Sequence, residues 1–317
     1  MKDQNLPYFR RKIIPLIKVV KSMILGQLHH SEIPTPKQED LLVINTGSKV
    51  SAIPIPKIIW MYWEDENLPE LVQKSVERIT RINLGFKVVL LNKDNLSDYL
   101  PSFVCESNIP LANKSDLIRL ELLYEFGGIW VDSTAIINEN FDWVINLSTD
   151  NHYDLLGYYR EVSTTDKNYP VIESWFLATY PRNSFIKLWL DILRPLGKIG
   201  NKAYFDRIQE RDDYELIRQK ITDPSYLLVY LACQIAMRES SGLNLYLKKC
   251  EDCCFLIQES LNWDKYLINY TFCRKPIDGK FYPFIKLTST DRSMIKEYGM
   301  LGLINKNSLI GNLLQNG

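Results

Sequence analysis

The sequence lacks an apolar run long enough to cross a membrane. Its longest candidate, residues 225–237, has thirteen residues, whereas a spanning helix needs about 18. It also lacks an excess of either charge, since 38 basic residues balance 38 acidic ones. Proteins that bind phosphate backbones usually carry a basic excess, so nucleic acid is not expected as a partner. With 317 residues, 46% of them apolar, the chain is long enough to bury a sizeable core.

Several common catalytic motifs are also missing. The chain has no GxGxxG, no P-loop, no HExxH and no Gly-x-Ser-x-Gly, so a dehydrogenase, an NTPase, a zinc protease and a serine hydrolase all lack support. The three histidines, His29, His30 and His152, do not form a metal-binding pattern. Any prediction of function must therefore rest on other sequence patterns.

The charge balance does not extend to the N-terminus, residues 1–30. This stretch has one acid, Asp3, and six basic residues: Lys2, Arg10, Arg11, Lys12, Lys18 and Lys21. It also carries apolar residues at helical spacing: Ile13, Ile17, Val20, Ile24 and Leu28. The pattern predicts a basic amphipathic helix on an anionic membrane surface; the alternative is a helix packed on the protein body. Because lysines interrupt the apolar run, a signal peptide is not expected, which favours a cytoplasmic protein that is peripheral on the inner face of the cell membrane.

The rest of the chain divides into a polar linker with four prolines, residues 31–56, and one domain, residues 57–317. Strands are predicted at 57–63, 86–91, 129–137, 153–159 and 172–179. Helices are predicted at 69–82, 113–126, 183–195, 203–219 and 224–240. Their alternation predicts an α/β fold with a mostly parallel, Rossmann-like sheet flanked by helices.

Two charged residues share one face of the helix predicted at 113–126. Asp116 and Arg119 are three residues apart and lie on the same stripe as Leu120 and Leu123. An inward carboxylate and guanidinium are costly unless they pair with each other or meet a polar ligand. The alternative is a helix-start role, in which Asn113 or Ser115 caps the helix, Asp116 favours the helix dipole and Arg119 pairs locally. The pair is therefore a candidate binding element.

Three polar residues, 132–134, interrupt the apolar strand run 129–137. In open α/β sheets, ligands bind at the carboxyl ends of the strands, and a carboxylate there can accept from sugar hydroxyls or help to hold a divalent cation. The alternative is a tight turn in which Asp132 and Ser133 bond to the backbone.

These features together resemble a known family. The run SDLIRLELLYEFGGIWVDST, residues 115–134, resembles the signature of sugar-nucleotide glycosyltransferases of the capsular polysaccharide synthesis type. That family is related to yeast-type α-mannosyltransferases and to clostridial glucosylating toxins. Three further segments resemble its first strand, middle and closing segment: IPKIIWMYW at 55–63, VIESWFLATYPRNSFIKLWL at 171–190 and PFIKLTSTDR at 283–292.

The resemblance implies a GT-A type fold and a role for particular residues. Trp63 matches the aromatic residue that stacks on the nucleotide base, and Asp116 and Arg119 match the pair that binds the donor sugar. Asp132 matches the first acid of the DxD motif. The second acid of that motif would fall at Thr134, where it is missing.

The same resemblance implies Mn²⁺ or Mg²⁺ as cofactor. Either Asp132 holds the metal together with the diphosphate and waters, or another acid takes the place of the missing one, for which Asp291 is a candidate. Lys286 and Arg292 are candidates to contact the donor phosphates, with solvated surface charges as the alternative. Relatives of this type retain anomeric configuration, so a retaining transfer is expected. Glu173 is either an acceptor-side group or a structural residue.

The function predicted from these features is glycosyl transfer in capsular or extracellular polysaccharide synthesis. The donor would be a UDP- or GDP-sugar, and the acceptor a saccharide or a lipid-linked oligosaccharide. The alternative is a catalytically silent sugar-nucleotide-binding or scaffold subunit of a polysaccharide assembly complex, which Thr134 in place of an acid leaves open.

Overall fold

A computed structural model of the protein describes residues 8–30, 32–47, 53–151 and 153–316. Parts of the sequence predictions lie outside these residues. They are Lys2 and Asp3 of the basic N-terminal stretch, the side chains of Arg10, Arg11 and Lys12, residues 31 and 48–52 of the predicted linker, and His152.

The described residues form strands and helices that alternate through the first two thirds of the chain. The strands are β1 Leu41–Asn45, β2 Ile58–Tyr62, β3 Lys87–Leu91, β4 Gly128–Val131, β5 Ile136–Ile137, β6 Leu155–Tyr159, β7 Ile172–Thr179, β8 Asn244–Lys249 and β9 Phe284–Ile285. The helices are α1 Tyr8–Leu28, α2 Glu70–Ile82, α3 Leu111–Phe126, α4 Asp142–Asn151, α5 Ser184–Leu193, α6 Leu196–Ile199, α7 Asn201–Gln209, α8 Tyr214–Arg218, α9 Leu228–Glu239, α10 Leu256–Ser260, α11 Lys265–Arg274, α12 Ile295–Met300 and α13 Leu309–Asn316.

Seven strands form the central sheet in the order β1-β8-β6-β7-β4-β2-β3. The pairs β2–β3, β2–β4 and β6–β8 are parallel, whereas β7 is antiparallel to both of its neighbours and β1 is antiparallel to β8. Five of the seven strands therefore point in one direction, and only β1 and β7 oppose them. The predicted α/β fold, with a mainly parallel central sheet flanked by helices, is confirmed.

Helices cover both faces of this sheet because its inner strands are apolar on both faces. Within β2, Trp60 and Tyr62 belong to the core that contains α3, α5 and α9, while Ile59 and Met61 belong to the core on the opposite face, beside α4. A third core joins α1 to the C-terminal helices α11, α12 and α13. The sheet is thus the middle layer of the protein.

Two consecutive glycines join α3 to β4. Gly127, with φ +63°, follows the last helical residue, and Gly128 has φ +95°. A Cβ at Gly128 would lie 2.7 Å from the backbone oxygen of Ile58 on β2, a contact that side chains do not tolerate. The chain therefore passes from helix to strand without a loop, and α3 and the end of β4 are held together.

Several predicted elements differ from the structure. The run 129–137 is not one strand: Ala135 N donates to Asp132 O at 2.9 Å, and this turn sends β5 into a separate two-stranded sheet with β9. The helix predicted at 203–219 is two helices, α7 and α8. Part of the predicted linker is strand β1, which pairs with β8 over its whole length. Pairing with a distant strand stabilises β1, and the local sequence does not show it.

Helix α1 packs on the body of the protein through one narrow face. Val19 is fully buried, and the Ser22 hydroxyl donates to Tyr266 O at 2.6 Å and lies 2.8 Å from Tyr298 Oη. The opposite face is apolar and exposed, at Ile17, Val20, Ile24 and Leu28. We call these four residues the α1 apolar face. Among the described residues, no helix combines the length and apolarity needed to cross a bilayer.

Candidate active site

The carboxyl ends of β2 and β4 lie at the same edge of the sheet, because the two strands are parallel. The antiparallel strand β7 begins at this edge, so residues from its start meet residues from the ends of the other two. A cavity of about 450 Å³ opens there. It is lined by polar and aromatic residues: Trp63, Glu64, Asp116, Arg119, Asp132, Thr134, Glu173, Trp175, Tyr226, Tyr230, Lys286 and Arg292. Its size suits a small ligand.

Arg119 lies at the base of the cavity and joins two carboxylates. Its Nη1 donates to Asp116 Oδ1 at 2.5 Å and its Nη2 donates to Asp132 Oδ1 at 3.0 Å. The guanidinium carbon lies 4.9 Å from the centroid of the Trp130 ring. Since Arg119 is 3% exposed, its charge is compensated inside the protein. The planar fork therefore fixes α3 to the end of β4.

Asp132 accepts from three side chains. Besides Arg119, Trp130 Nε1 donates to Oδ1 at 3.0 Å, and Lys286 Nζ donates to Oδ2. Burial alone would raise the pKa of Asp132, but Lys286 and Arg119 outweigh it and hold the pKa at about 2. The carboxylate is therefore ionised at neutral pH, with both oxygens bonded.

Asp116 has the opposite shift. Its burial raises the pKa to about 6, against the attraction of Arg119, and the nearby Asp132 carboxylate adds to the rise. Neither Asn113 nor Ser115 caps α3. The helix begins at Leu111 after Pro110, and Asn113 instead donates through its side chain to Tyr226 O at 3.2 Å. The predicted capping by Asn113 or Ser115 is therefore wrong, and Asp116 does not lie in the first turn, but the local pairing of Arg119 with Asp116 is confirmed.

The other predicted site residues lie in different places. Trp63, Thr134, Lys286 and Arg292 line the cavity with the Asp116–Arg119–Asp132 cluster. Asp291 does not line it: this carboxylate is fully buried, and its Oδ2 accepts from Thr288 N at 2.8 Å and from Gln258 Nε2 at 3.1 Å. Its short contacts hold the closing segment in place.

One residue of the cavity lining, Tyr230, was not predicted from the sequence. It donates through Oη to Glu173 at 2.5 Å. The sequence predicts either an acceptor-side or a structural role for Glu173. Burial raises its pKa, and this outweighs the attraction of Arg160 and the bond from Tyr230. Glu173 and Ser174 interrupt an apolar strand as residues 132–134 do, so the same signal marks them. Tyr230 lies within an apolar helix and carries no such signal.

The side chains at this edge do not fit the two-carboxylate metal site that the resemblance implies. The Thr134 hydroxyl donates to Leu287 O at 3.4 Å, and Asp291 lies outside the cavity. Glu64 accepts from Lys114 at 3.0 Å through both oxygens. In the described part of the chain, the one group of three side chains close enough to share a metal is Glu39, Cys253 and Cys254, and none of these lines the cavity.

The fold and the cavity define an α/β protein with a polar ligand site at the carboxyl edge of its sheet. The family described as capsular polysaccharide synthesis protein matches residues 36–218, more than half of the chain. The chain belongs to this family, and the resemblance noted in the sequence is confirmed.

Curated relatives carry glycosyltransferase names. The chain is 28% identical over 160 residues to the O-glycosyltransferase braB of Annulohypoxylon truncatum, a match that covers 44% of this chain and 37% of the relative. It is 25% identical over 224 residues to the uncharacterized glycosyltransferase L373 of Acanthamoeba polyphaga mimivirus, covering 62% of this chain and 87% of the relative. The chain therefore matches well under half of the first relative's length.

Two solved structures are also similar. One is the PaToxG glycosyltransferase, with a TM-score of 0.32 and 15% identity over 72% of this chain and 91% of that chain. The other is a glycosyltransferase involved in the glycosylation of the major capsid of PBCV-1, with a TM-score of 0.37 and 11% identity over 76% of this chain and 98% of that chain.

Proposed function

We propose that this protein is a glycosyltransferase of GT-A type that moves a hexosyl group from a UDP- or GDP-sugar to a saccharide or a lipid-linked oligosaccharide. The observation that carries the proposal is the Asp116–Arg119–Asp132 cluster at the base of the cavity. Family membership and the names of the relatives support the same reaction class. Capsular or extracellular polysaccharide is the product class that we infer from the family description.

The donor would lie with its base toward Trp63 and its sugar toward the cluster. An aromatic side chain offers a π face on which a base stacks, with a gain of about 1–3 kcal/mol. Carboxylates fixed by a guanidinium accept from sugar hydroxyls in a defined geometry, and this geometry selects among sugars. Trp63 and Asp116 line the same cavity, so one donor molecule could contact Trp63 through its base and Asp116 through its sugar.

The reaction that we propose retains the anomeric configuration. The bond between the anomeric carbon and the donor phosphate oxygen breaks, and its electron pair leaves on the diphosphate. The acceptor oxygen forms the new bond on the same face, and its proton passes to a phosphate oxygen. Developing negative charge on the diphosphate requires fixed positive groups nearby. We derive no step through Mn²⁺ or Mg²⁺, because the side chains present do not fit a two-carboxylate site.

The acceptor would enter along Glu173. This carboxyl group is buried, lines the cavity and is held by Tyr230, and a carboxyl oxygen can accept a hydrogen bond from the hydroxyl of an acceptor. We assign it to the acceptor side as a positioning residue.

Turnover of a donor panel tests this function. UDP- and GDP-sugars are incubated with the purified chain, with and without short saccharides, and nucleoside diphosphate release is measured. Release from one donor, faster with an acceptor, is the expected result. The silent-subunit alternative rests on Thr134 in place of an acid, and donor binding without release under all these conditions would favour it.

We also propose that the α1 apolar face lies on an anionic membrane. Four apolar side chains are exposed in a row on a helix that has five basic residues and no acid, which is the pattern of an interfacial helix. We expect Ile24→Glu to weaken binding to phosphatidylglycerol vesicles about tenfold or more, since it places a charge where an apolar side chain enters the interface.

The control for this test is Leu84→Glu, because Leu84 is 86% exposed and lies between α2 and β3. Point variants are preferable to deletion of residues 1–30, which would also remove the buried contacts of Val19 and Ser22. Equal vesicle binding by wild type and Ile24→Glu would contradict the membrane proposal and leave the catalytic one untouched.

A further inference from the structure

The position of Lys286 beside Asp132 is fixed by backbone hydrogen bonds. It follows β9 directly, and its backbone is bonded on both sides: its N–H donates to Cys254 O at 3.1 Å, and its carbonyl accepts from Gln258 Nε2 at 2.8 Å. Its side chain is 12% exposed and ends against Asp132 Oδ2. The ammonium group therefore lies at the cavity wall through fixed backbone contacts, unlike that of a mobile surface lysine.

This position is the one that a cation bound to Asp132 would need. Asp132 Oδ1 already accepts from Arg119 and Trp130, so Oδ2 is the oxygen left for a further positive group, and Lys286 occupies it. A metal ion would have to displace an ammonium group from a partly buried ion pair. Neither position expected to supply a second carboxylate does so, because position 134 is a threonine and Asp291 lies outside the cavity.

The ammonium group retains capacity for a ligand. A lysine ammonium has three donor protons, and Asp132 accepts one of them. The remaining two can be donated to phosphate oxygens in the cavity without breaking the contact to Asp132. A fixed positive group of this kind stabilises a diphosphate that gains negative charge as it leaves.

Arg292 adds a second positive group to the same wall. It lines the cavity, its Nε donates to Thr288 O at 3.2 Å, and it forms no ion pair with any described residue. Burial lowers its pKa, but an arginine stays protonated at neutral pH. Three cations that line the cavity, Arg119, Lys286 and Arg292, lie near Asp132. Four carboxyl groups line it as well, but Glu64 is bonded to Lys114 and Glu173 to Tyr230. Lys286 and Arg292 are therefore the cations placed to meet a polyanionic ligand.

We propose that Lys286, assisted by Arg292, supplies to the donor diphosphate the positive charge that a divalent cation supplies in metal-dependent transferases, so that this protein binds its donor without a metal. This inference rests on the proposed function. It places the diphosphate between Lys286 and Arg292, with the sugar toward Arg119.

The first test compares binding of UDP and of GDP by titration calorimetry in EDTA and in Mn²⁺ or Mg²⁺. We expect at least one nucleotide to bind with the same affinity under all conditions, within about twofold. Binding that occurs only with a metal would overturn this inference and leave the proposed function standing. Absence of binding under every condition would instead overturn the proposed function, and this inference with it.

The second test uses variants in EDTA. Lys286→Ala should weaken nucleotide binding roughly 10- to 100-fold, the range for loss of a charge-assisted contact, and Lys286→Arg should restore most of it. The matched control is Lys248→Ala. Lys248 is similarly buried at 14% exposure and pairs with Glu39 at 2.7 Å, and it does not line the cavity. Equal losses in Lys286→Ala and Lys248→Ala would show a general effect on the fold and overturn the proposed contact.

Discussion

Two of the carboxyl groups that line the cavity, one partly buried and one buried, have pKa values shifted in opposite directions. On the charged wall, Asp132 accepts from Arg119 and Lys286, and its pKa is held at about 2. On the wall formed by the start of β7 and α9, which we call the Glu173 wall, Glu173 accepts from the Tyr230 hydroxyl, and burial raises its pKa. Desolvation is the largest single influence on both groups, so it cannot explain the difference.

The partners explain it. Arg119 and Lys286 both donate directly to Asp132. The cation that most lowers the pKa of Glu173 is Arg160, which is paired with Glu259 and lies 3.7 Å from Glu251. Arg160 lowers the pKa of Glu173, but not enough to offset burial, whereas Lys286 and Arg119 together more than offset burial at Asp132. The cations of the charged wall suit an anionic leaving group, and we propose that the acceptor hydroxyl lies along the Glu173 wall.

The largest effect is expected from Asp132→Asn, which breaks the charged wall. Arg119 and Lys286 would lose their shared carboxylate, and the donor sugar would lose its acceptor group. We expect donor turnover to fall by about 100- to 1,000-fold while circular dichroism shows an intact fold. Unchanged turnover in the folded variant would remove Asp132 from the reaction.

A somewhat smaller effect is expected from Arg119→Lys. A point charge cannot bridge Asp116 and Asp132 as the planar fork does, so we expect donor affinity, measured by titration calorimetry, to fall roughly tenfold. Arg182→Lys is the control, because Arg182 also forms a two-pronged contact, with Glu125, but is 59% exposed. If both variants bind donor like the wild type, the fork at Arg119 is only structural.

The smallest effect concerns the pH dependence of stability and sharpens the comparison at the Glu173 wall. The pKa of Glu173 is higher in the folded state than the ordinary value of 4.5, so above pH 4.5 the native state binds more protons than the unfolded state at this group. Its contribution to stability is therefore lost as pH rises through the folded pKa. We expect Glu173→Gln to flatten the decline of thermal midpoint with rising pH, relative to wild type. A steeper decline in the variant would reverse the assigned direction of the shift.

Much of this could be predicted from local sequence signals. The apolar run 57–63 and the proline before α2 gave correct elements because the information for burial and for helix initiation lies within a few residues. The site cluster was predictable for the same reason: Asp116, Arg119 and Asp132 are polar residues within apolar patterns, and such residues need partners.

The rest depends on distant contacts. Strand β1 is short and is stabilised by pairing with β8, about two hundred residues further along the chain. Asn113 resembles a helix cap, but its side chain is used by Tyr226 O, and Pro110 sets the start of α3. Tyr230 meets Glu173 only because α9 packs beside the start of β7. The local sequence around these residues does not indicate which distant residue each one contacts.

The packing of α1 on the C-terminal helices has a consequence for the order in which the chain folds. Ser22 contacts Tyr298, which is 276 residues away. Strand β1 likewise cannot pair until β8 has been synthesised. At roughly 5–20 residues per second of synthesis, that separation corresponds to a delay on the order of 10 to 60 s. During this delay the nascent chain carries a basic, apolar helix with both of its faces uncovered. We therefore expect α1 to meet a chaperone or a lipid surface before it meets the rest of its own domain.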